Sequence, residues 1–332
     1  MISFWNTLPR PIVSLAPMED VTDTSFREQV IRMSAPGTLH VMYTEFTSTD
    51  GLCHERGFDK VAERLVVNSS ERELLQQQGI RLVAQIWGSQ PERFARAAEM
   101  VSQTGRFDGI DINMGCPVKK VVKGGSCSAL ILDPTRAQDI IRATRESTPL
   151  PVSVKTRVGF HQPVTERWIR QLLEAGPSAI ILHARTSKEQ SLVAADWSHV
   201  ALAVKVRDAL APDVPLLGNG DVSSMADGRA RCRETGADGF MVGRGIFHDP
   251  WMFRDSPYEP SREDRLHALL SHARRYTQTW GPDRNFQVLK RFFKIYLHGF
   301  PGAAALRATL METNSLKEVE DAVGQSINRM LD

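Results

Sequence analysis

The chain has 332 residues, 42% of them hydrophobic and 24% charged, with a formal net charge of +2. This is the balance of an ordinary folded protein, and it leaves no room for a large disordered fraction. No apolar run approaches the roughly 20 residues that cross a bilayer. The start, MISFWNTLPRPIVSLAPM, lacks the basic region, apolar stretch and small-residue cleavage site of an export signal, so a cytoplasmic protein is expected. Cys53, Cys116, Cys127 and Cys232 form no C-x-x-C pair. They signal neither a zinc site nor a disulfide framework, and they fit a reducing compartment.

In chain order, β-like runs occur at 11–18, 40–46, 81–88, 109–117, 151–159, 179–185, 214–221 and 239–245. Helical signals lie between most of them. Ser89-Gln90-Pro91-Glu92 reads as a capping box with proline in the first turn, followed by Phe94, Ala97, Ala98 and Val101 at helical spacing. Asp133-Pro134 and Thr165 read as further helix starts, and Gly105, Gly176 and Gly236 as helix stops. Eight strands, mostly separated by one helix each, predict an α/β fold closed as a (β/α)8 TIM barrel, with a doubly wound open sheet as the alternative. Residues 1–254 are assigned to this unit. The rest, 255–332, is helical in pattern and joins it through the proline- and charge-rich DSPYEPSRED.

Residues two apart on a strand share a face. Asp111 with Asn113, Lys155 with Arg157, His183 with Arg185 and Asn219 with Asp221 are such pairs, and Gln85 ends the third run. Each lies at the C-terminal end of its strand, the rim on which barrel enzymes build their sites. A single buried polar group would usually be structural, but the same end of five strands points to a site. LLGNGD and VGRG place glycines and Arg244 on the seventh and eighth strands, where barrels often hold phosphate. A phosphate-bearing cofactor in the barrel mouth follows. Flavin mononucleotide needs a phosphate site, a cation near its N1–C2=O edge and amide partners. Arg244 with the glycines, Lys155 and Gln85 could serve these in turn.

Pro17-Met18, DINMGCP, SVKTR, LHARTS, GNGD and VGRG, in this order between residues 11 and 250, together resemble the tRNA-dihydrouridine synthases. The helical tail is similar in place and size to that family's. The resemblance implies an FMN-dependent, NADPH-fuelled reduction of the C5–C6 bond of uridines in tRNA. By motif match it assigns Pro17, Met18, Glu19, Gln85, Lys155, His183, Asn219, Gly220, Asp221, Gly243 and Arg244 to FMN, and Cys116 to catalysis. The loop VKKVVKGGSCSALI (118–131) departs from some relatives in carrying Cys127, which leaves the subfamily open.

Cys116 sits between glycine and proline, where no strand can continue. A hydride delivered to C6 of uracil leaves an enolate to be protonated at C5. An ordinary thiol, with a pKa of about 8.5, is mostly protonated at neutral pH yet able to donate. Asn113, Arg157, His183 and Arg185 are candidates for contacts with the extruded base or the ring. Cys53 and Cys127 are read as structural. Between Arg265 and Arg307 eight basic residues face one acid, Asp283, with aromatics interleaved. Arg274, Arg275, Lys290, Arg291 and Lys294 are expected to form an RNA-binding stripe, extended by Lys119, Lys120 and Lys123 beside the catalytic loop. Phe292 and Phe293 are expected in the core. The protein is expected to be a monomer that binds tRNA and no metal. Three other readings are compatible with parts of the sequence: a flavin barrel acting on a free pyrimidine or enone, a Schiff-base aldolase using Lys155, and a non-catalytic RNA chaperone.

Overall fold

The computed structural model of the chain describes residues 3–256, 258–281 and 284–328; Asp283 lies outside them. Parallel strands β1 (Ile12–Leu15), β2 (Val41–Tyr43), β4 (Arg81–Trp87), β5 (Gly109–Met114), β6 (Val152–Gly159), β7 (Ala179–Thr186), β8 (Leu216–Asn219) and β9 (Gly239–Val242) close into a barrel. The seam is complete on both sides of β1, with Ser14 registered on Val41 and Leu15 on Val242, and β2 continues onto β4. The open-sheet alternative is thereby overturned. One expected strand differs: the run 40–46 stops at Tyr43, and a two-residue strand, β3 (Thr47–Ser48), then pairs with the end of β4. At the break Thr44 still donates its N–H to the Val83 carbonyl at 3.1 Å, but the next ladder donor, the Gln85 amide, goes to its hydroxyl at 3.1 Å.

The helices α1 (Thr24–Met33), α2 (Ser69–Gln78), α3 (Pro91–Gln103), α4 (Pro134–Glu146), α5 (Thr165–Glu174), α6 (Ser198–Leu210) and α7 (Met225–Thr235) surround the barrel. α3 starts at Pro91 as expected, but its N-cap is Gln90 and no side chain caps it, so the capping box does not form. Gly105, Gly176 and Gly236 all adopt positive φ just past helix ends, where a side chain would be strained. α1 and α2 are tied by Arg27, which is fully buried and forks onto both oxygens of Glu71 at 2.6 and 2.9 Å. Its third group donates to the Thr22 carbonyl at 2.7 Å, which anchors the loop after β1.

The strand alternation sorts the barrel interior into two layers. Below, Trp5, Ile12, Val41, Tyr43, Val83, Ala179, Ile181, Leu217 and Met241 form one apolar plug. Above it, towards the C-terminal ends, the inward positions are Gln85, Asp111, Asn113, Lys155, His183 and Asn219, brought level by the register (Gln85 opposite Asp111, Asn113 opposite Lys155, His183 opposite Asn219).

The tail folds as α8 (Arg262–Trp280), α9 (Gln287–Tyr296), α10 (Ala303–Met311) and α11 (Leu316–Asn328). It lies against α1, and its apolar face shares one continuous core with the barrel helices, where Phe26 stacks on Phe292 at 5.0 Å. Phe292 and Phe293 are both buried, as expected. A polar latch crosses the junction: Trp280 donates to Asp23 at 2.7 Å. Arg284 lies over the Trp280 ring and reaches Asp23 and Glu45 at 3.4 and 3.6 Å. No helix among the described residues is long and apolar enough to cross a membrane.

Candidate active site

The barrel mouth opens into a pocket of about 460 Å³ lined by Pro17, Met18, Lys155, His183, Arg185, Asn219, Gly220, Asp221, Gly243, Arg244 and His248. Nine of the eleven residues assigned to the cofactor meet here. The other two do not. Glu19 turns away and accepts from Arg64 at 2.9 Å, and Gln85 is buried beneath the floor.

Lys155 makes one hydrogen bond, from Nζ to Asn219 Oδ1 at 3.2 Å, and Asn219 is itself held by its Nδ2 on the Met241 carbonyl at 2.8 Å. The rest of the ammonium faces the cavity. Burial, aided by Arg157, lowers its pKa to about 8, against the pull of Asp111. His183 sits beside Arg185, whose guanidinium donates to Nε2 at 3.1 Å. Arginine has no acceptor, so Nε2 accepts and Nδ1 carries the proton. Burial, with Lys155, Arg157 and Arg185 around it, pushes His183 well below its ordinary pKa and keeps it neutral.

Asp221 lines the pocket, but its carboxylate is engaged with Arg185 and with the Ala195 amide at 2.9 Å, and Arg244 stands 3.7 Å away. It anchors two cations. The backbone at Gly220 has φ +123 and a Cβ there would lie 2.7 Å from Ala195, so only glycine fits; at Gly243 the space is open towards the cavity. An open glycine wall beside Arg244, facing a cation with unused donors, fits a phosphorylated ring system that gathers negative charge on reduction, such as FMN.

Beneath the floor the polar layer is fully connected. Gln85 donates to Asp111 at 2.7 Å, Ser153 donates to the same carboxylate at 2.6 Å, and Asn113 donates to the Gln85 carbonyl at 3.0 Å. Burial raises the Asp111 pKa to about 6. Asn113 Oδ1 accepts from the backbone N–H of both Gly115 and Cys116, each at 3.0 Å. Asn113, a candidate above for contact with the extruded base, is the residue that turns the chain at the end of β5 and presents Cys116. Arg157 is likewise spent on backbone, on the carbonyls of Gly115 at 2.7 Å, Thr186 at 3.0 Å and Gln190 at 2.8 Å. A register shift between Arg157 and Gly159 bends β6 at this point. Arg185 also braces the rim, donating to Val193 at 2.7 Å.

Cys116 is half-buried at the rim. The Cys127 thiol lies against its sulfur and holds its pKa down to about 7, helped by the Val118 amide and Arg157 and opposed by burial. Cys127, read from sequence as structural, is thus in contact with Cys116. The eleven-residue separation carries no local signal; only the short turn Cys127–Leu132 folding back on β5 brings the sulfurs together.

The basic stripe is partly corrected. Lys290 is buried, with Nζ on the Met311 carbonyl, because a lysine at the centre of an amphipathic helix face can satisfy its charge on a helix end. Arg275 faces α1, on Gln29 and Ser271. Arg274 is exposed but paired with Glu320 at 2.7 Å. Arg291 and Lys294 are exposed and, with Arg244, His248, His298 and Arg307, line a groove of about 570 Å³ between barrel and tail. Arg291 also donates to the Asp20 carbonyl at 3.0 Å. Lys119, Lys120 and Lys123 stand exposed on the one-turn helix Lys119–Lys123 after Cys116. His248 was missed; one helical turn after Arg244, it lines both cavities. Among the described residues no cluster could hold a metal ion.

The family model described as dihydrouridine synthase (Dus) matches residues 14–331. The chain belongs to the dihydrouridine synthase family. It is 40% identical over 331 residues to a probable tRNA-dihydrouridine synthase of Staphylococcus epidermidis, covering 99% of this chain and 97% of that one. It is 41% identical over 318 residues to the corresponding protein of Staphylococcus aureus strain COL, covering 95% and 93%. To the probable tRNA-dihydrouridine synthase 2 of Bacillus subtilis it is 40% identical over 332 residues, covering 99% and 98%. Among solved structures, a 2-naphthoyl-CoA reductase complex matches with a TM-score of 0.52 at 12% identity, covering 73% of this chain and 49% of that one. That likeness bears on the barrel fold alone. For this dihydrouridine synthase family member, the pocket and the thiol lie on adjoining strands: Lys155 on β6 is opposite Asn113, whose side chain sets Cys116.

Proposed function

We propose that the protein reduces the C5–C6 double bond of uridines in tRNA, with FMN in the barrel mouth, NADPH as reductant and Cys116 as the proton donor. The observation that carries this is the pairing, on one rim, of an open glycine–arginine wall with a thiol held up by Asn113. FMN bound there would supply a hydride to C6 of the base. Gly220, Gly243 and Arg244 would receive its phosphate, and Lys155 would offer the cation for the edge on which negative charge gathers. His183 would donate from Nδ1. Cys116 holds the proton that C5 takes, and a thiol with a pKa of about 7 is matched to donation near neutrality. Arg157 keeps the Gly115 carbonyl fixed while the thiol gives up its proton. The exposed cations of the groove and of the Lys119–Lys123 turn would meet RNA phosphates. On this reading the protein works as a cytoplasmic monomer.

The test compares wild type with Cys116→Ala. Both should bind tRNA and the yellow cofactor, NADPH should bleach both, and the variant should form no dihydrouridine. Turnover of free uridine or orotate in place of tRNA would overturn the substrate. Colourless protein that borohydride traps with an aldehyde would overturn the chemistry in favour of a Lys155 Schiff base.

A further inference from the structure

We infer that Cys127 is a resolving thiol: under hydrogen peroxide it closes a reversible disulfide with Cys116 and so takes that residue out of use. Two cysteines eleven residues apart in sequence meet because the turn at Cys127 folds back on the end of β5. Ser128 N–H donates to the Cys116 carbonyl at 3.3 Å, and the Cys127 side chain touches both the backbone and the sulfur of Cys116. That hydrogen bond holds the residue next to Cys127 on the Cys116 backbone, and a disulfide needs only a Cα separation of about 4.4–6.8 Å. The two thiols are unequal in access. Cys116 is at the rim, while Cys127 is completely buried. Peroxide therefore meets Cys116 first, and Arg157 beside it favours the thiolate that attacks. Cys53 and Cys232 are remote from both, Cys53 lying on the Arg93 carbonyl.

The step balances. The Cys116 thiolate attacks one peroxide oxygen, the O–O bond breaks, and hydroxide leaves and is protonated, giving a sulfenic acid. The Cys127 sulfur then attacks the Cys116 sulfur, the S–O bond breaks, and the departing hydroxide takes the Cys127 proton as water. Two thiols are oxidised, one peroxide is reduced to two waters, and a dithiol reverses the bond. Cys127 also has φ +54, a region that suits glycine better than cysteine. Cys127→Gly therefore removes the thiol and relieves backbone strain together.

The inference is independent of the substrate; only its effect on turnover rests on the proposed role of Cys116. Flavin-loaded protein is treated with hydrogen peroxide, quenched with N-ethylmaleimide under denaturing conditions, and weighed and mapped. Wild type should lose two of its four free thiols, yield a linked Cys116–Cys127 peptide, and lose dihydrouridine formation that dithiothreitol restores. Cys127→Gly, and Cys127→Ser as a second variant, should form no link and should carry Cys116 on to the sulfinic acid, with activity that dithiothreitol does not restore. Four alkylated thiols after peroxide, a link to Cys53 or Cys232, or dithiothreitol recovery of Cys127→Gly equal to wild type would each sink the inference. A wild type that makes no dihydrouridine even before treatment, yet links these two residues, would leave it standing while the functional reading falls.

Discussion

The side chain of Asn113 makes three hydrogen bonds, two to the amides of Gly115 and Cys116 and one to Gln85. Removing it strands two backbone donors at a rim position, a cost of about 1–3 kcal/mol. Asn113→Ala is predicted to bind FMN and tRNA normally but to lose about tenfold or more in kcat, since about 1.4 kcal/mol at the transition state is a factor of ten. Single-turnover assays with flavin absorbance as the loading control would check this. The same scale sets the pH profile. As the proposed proton donor, Cys116 would act only when protonated, and its pKa is held down to about 7. The proton-transfer rate should therefore fall by about tenfold per pH unit on the alkaline side. Lys155, with a pKa of about 8, loses its charge nearby and could mimic that limb. Cys127→Gly separates them: it removes the contact that most lowers Cys116, so a Cys116 limb should move to higher pH and a Lys155 limb should stay.

Between elements, the decisive joint is the latch of Asp23, Glu45, Trp280 and Arg284. Asp23 caps α1, Glu45 follows β2 and accepts from the Asp20 amide at 2.6 Å, and Arg284 lies between α8 and α9. Burial, followed by the neighbouring Asp23, raises the Glu45 pKa to about 7 even with Arg284 nearby. Arg284→Ala leaves two buried carboxylates without their shared cation, and breaking such a pair costs about 3–5 kcal/mol. The expected result is a lower unfolding midpoint that worsens as pH rises from about 5 to 7. The sign follows because Arg284 favours ionised Glu45: without it the native pKa rises further above the unfolded one, the variant's native state binds still more protons, and it loses more stability than wild type as pH rises. Denaturant melts at several pH values would show it; equal losses at pH 5 and 7 would contradict it.

For the whole molecule, the cations that the proposed function would set against RNA are those left facing water. Exchanging Arg291 and Lys294 for alanine should reduce the salt slope of tRNA binding by about 1.4–1.8, at about 0.7–0.9 per phosphate contact. Lys290→Ala should leave the slope unchanged and instead lower stability, because its ammonium is buried on the end of α10. Binding titrations across salt concentrations distinguish the two. The tail thus serves two ends: it is packed into the barrel's own core, and it forms one wall of the cationic groove.

The barrel, its rim and the thiol at the end of β5 were legible in the sequence because their signals are local: a period of two along strands, a period of 3.6 along helices, and a cysteine between glycine and proline. Strand alternation alone placed Asp111, Asn113, Lys155, His183 and Asn219 on the inward face, since closing the barrel turns every such face to the same centre. The uses to which those residues are put were decided only in three dimensions. Asn113 and Arg157 bond backbone, Glu19 turns to Arg64, Lys290 is buried, and Cys127 touches Cys116. Each of these depends on which loop folds back over which strand end, and no spacing along the chain encodes a contact made by two segments that meet only once the barrel has closed.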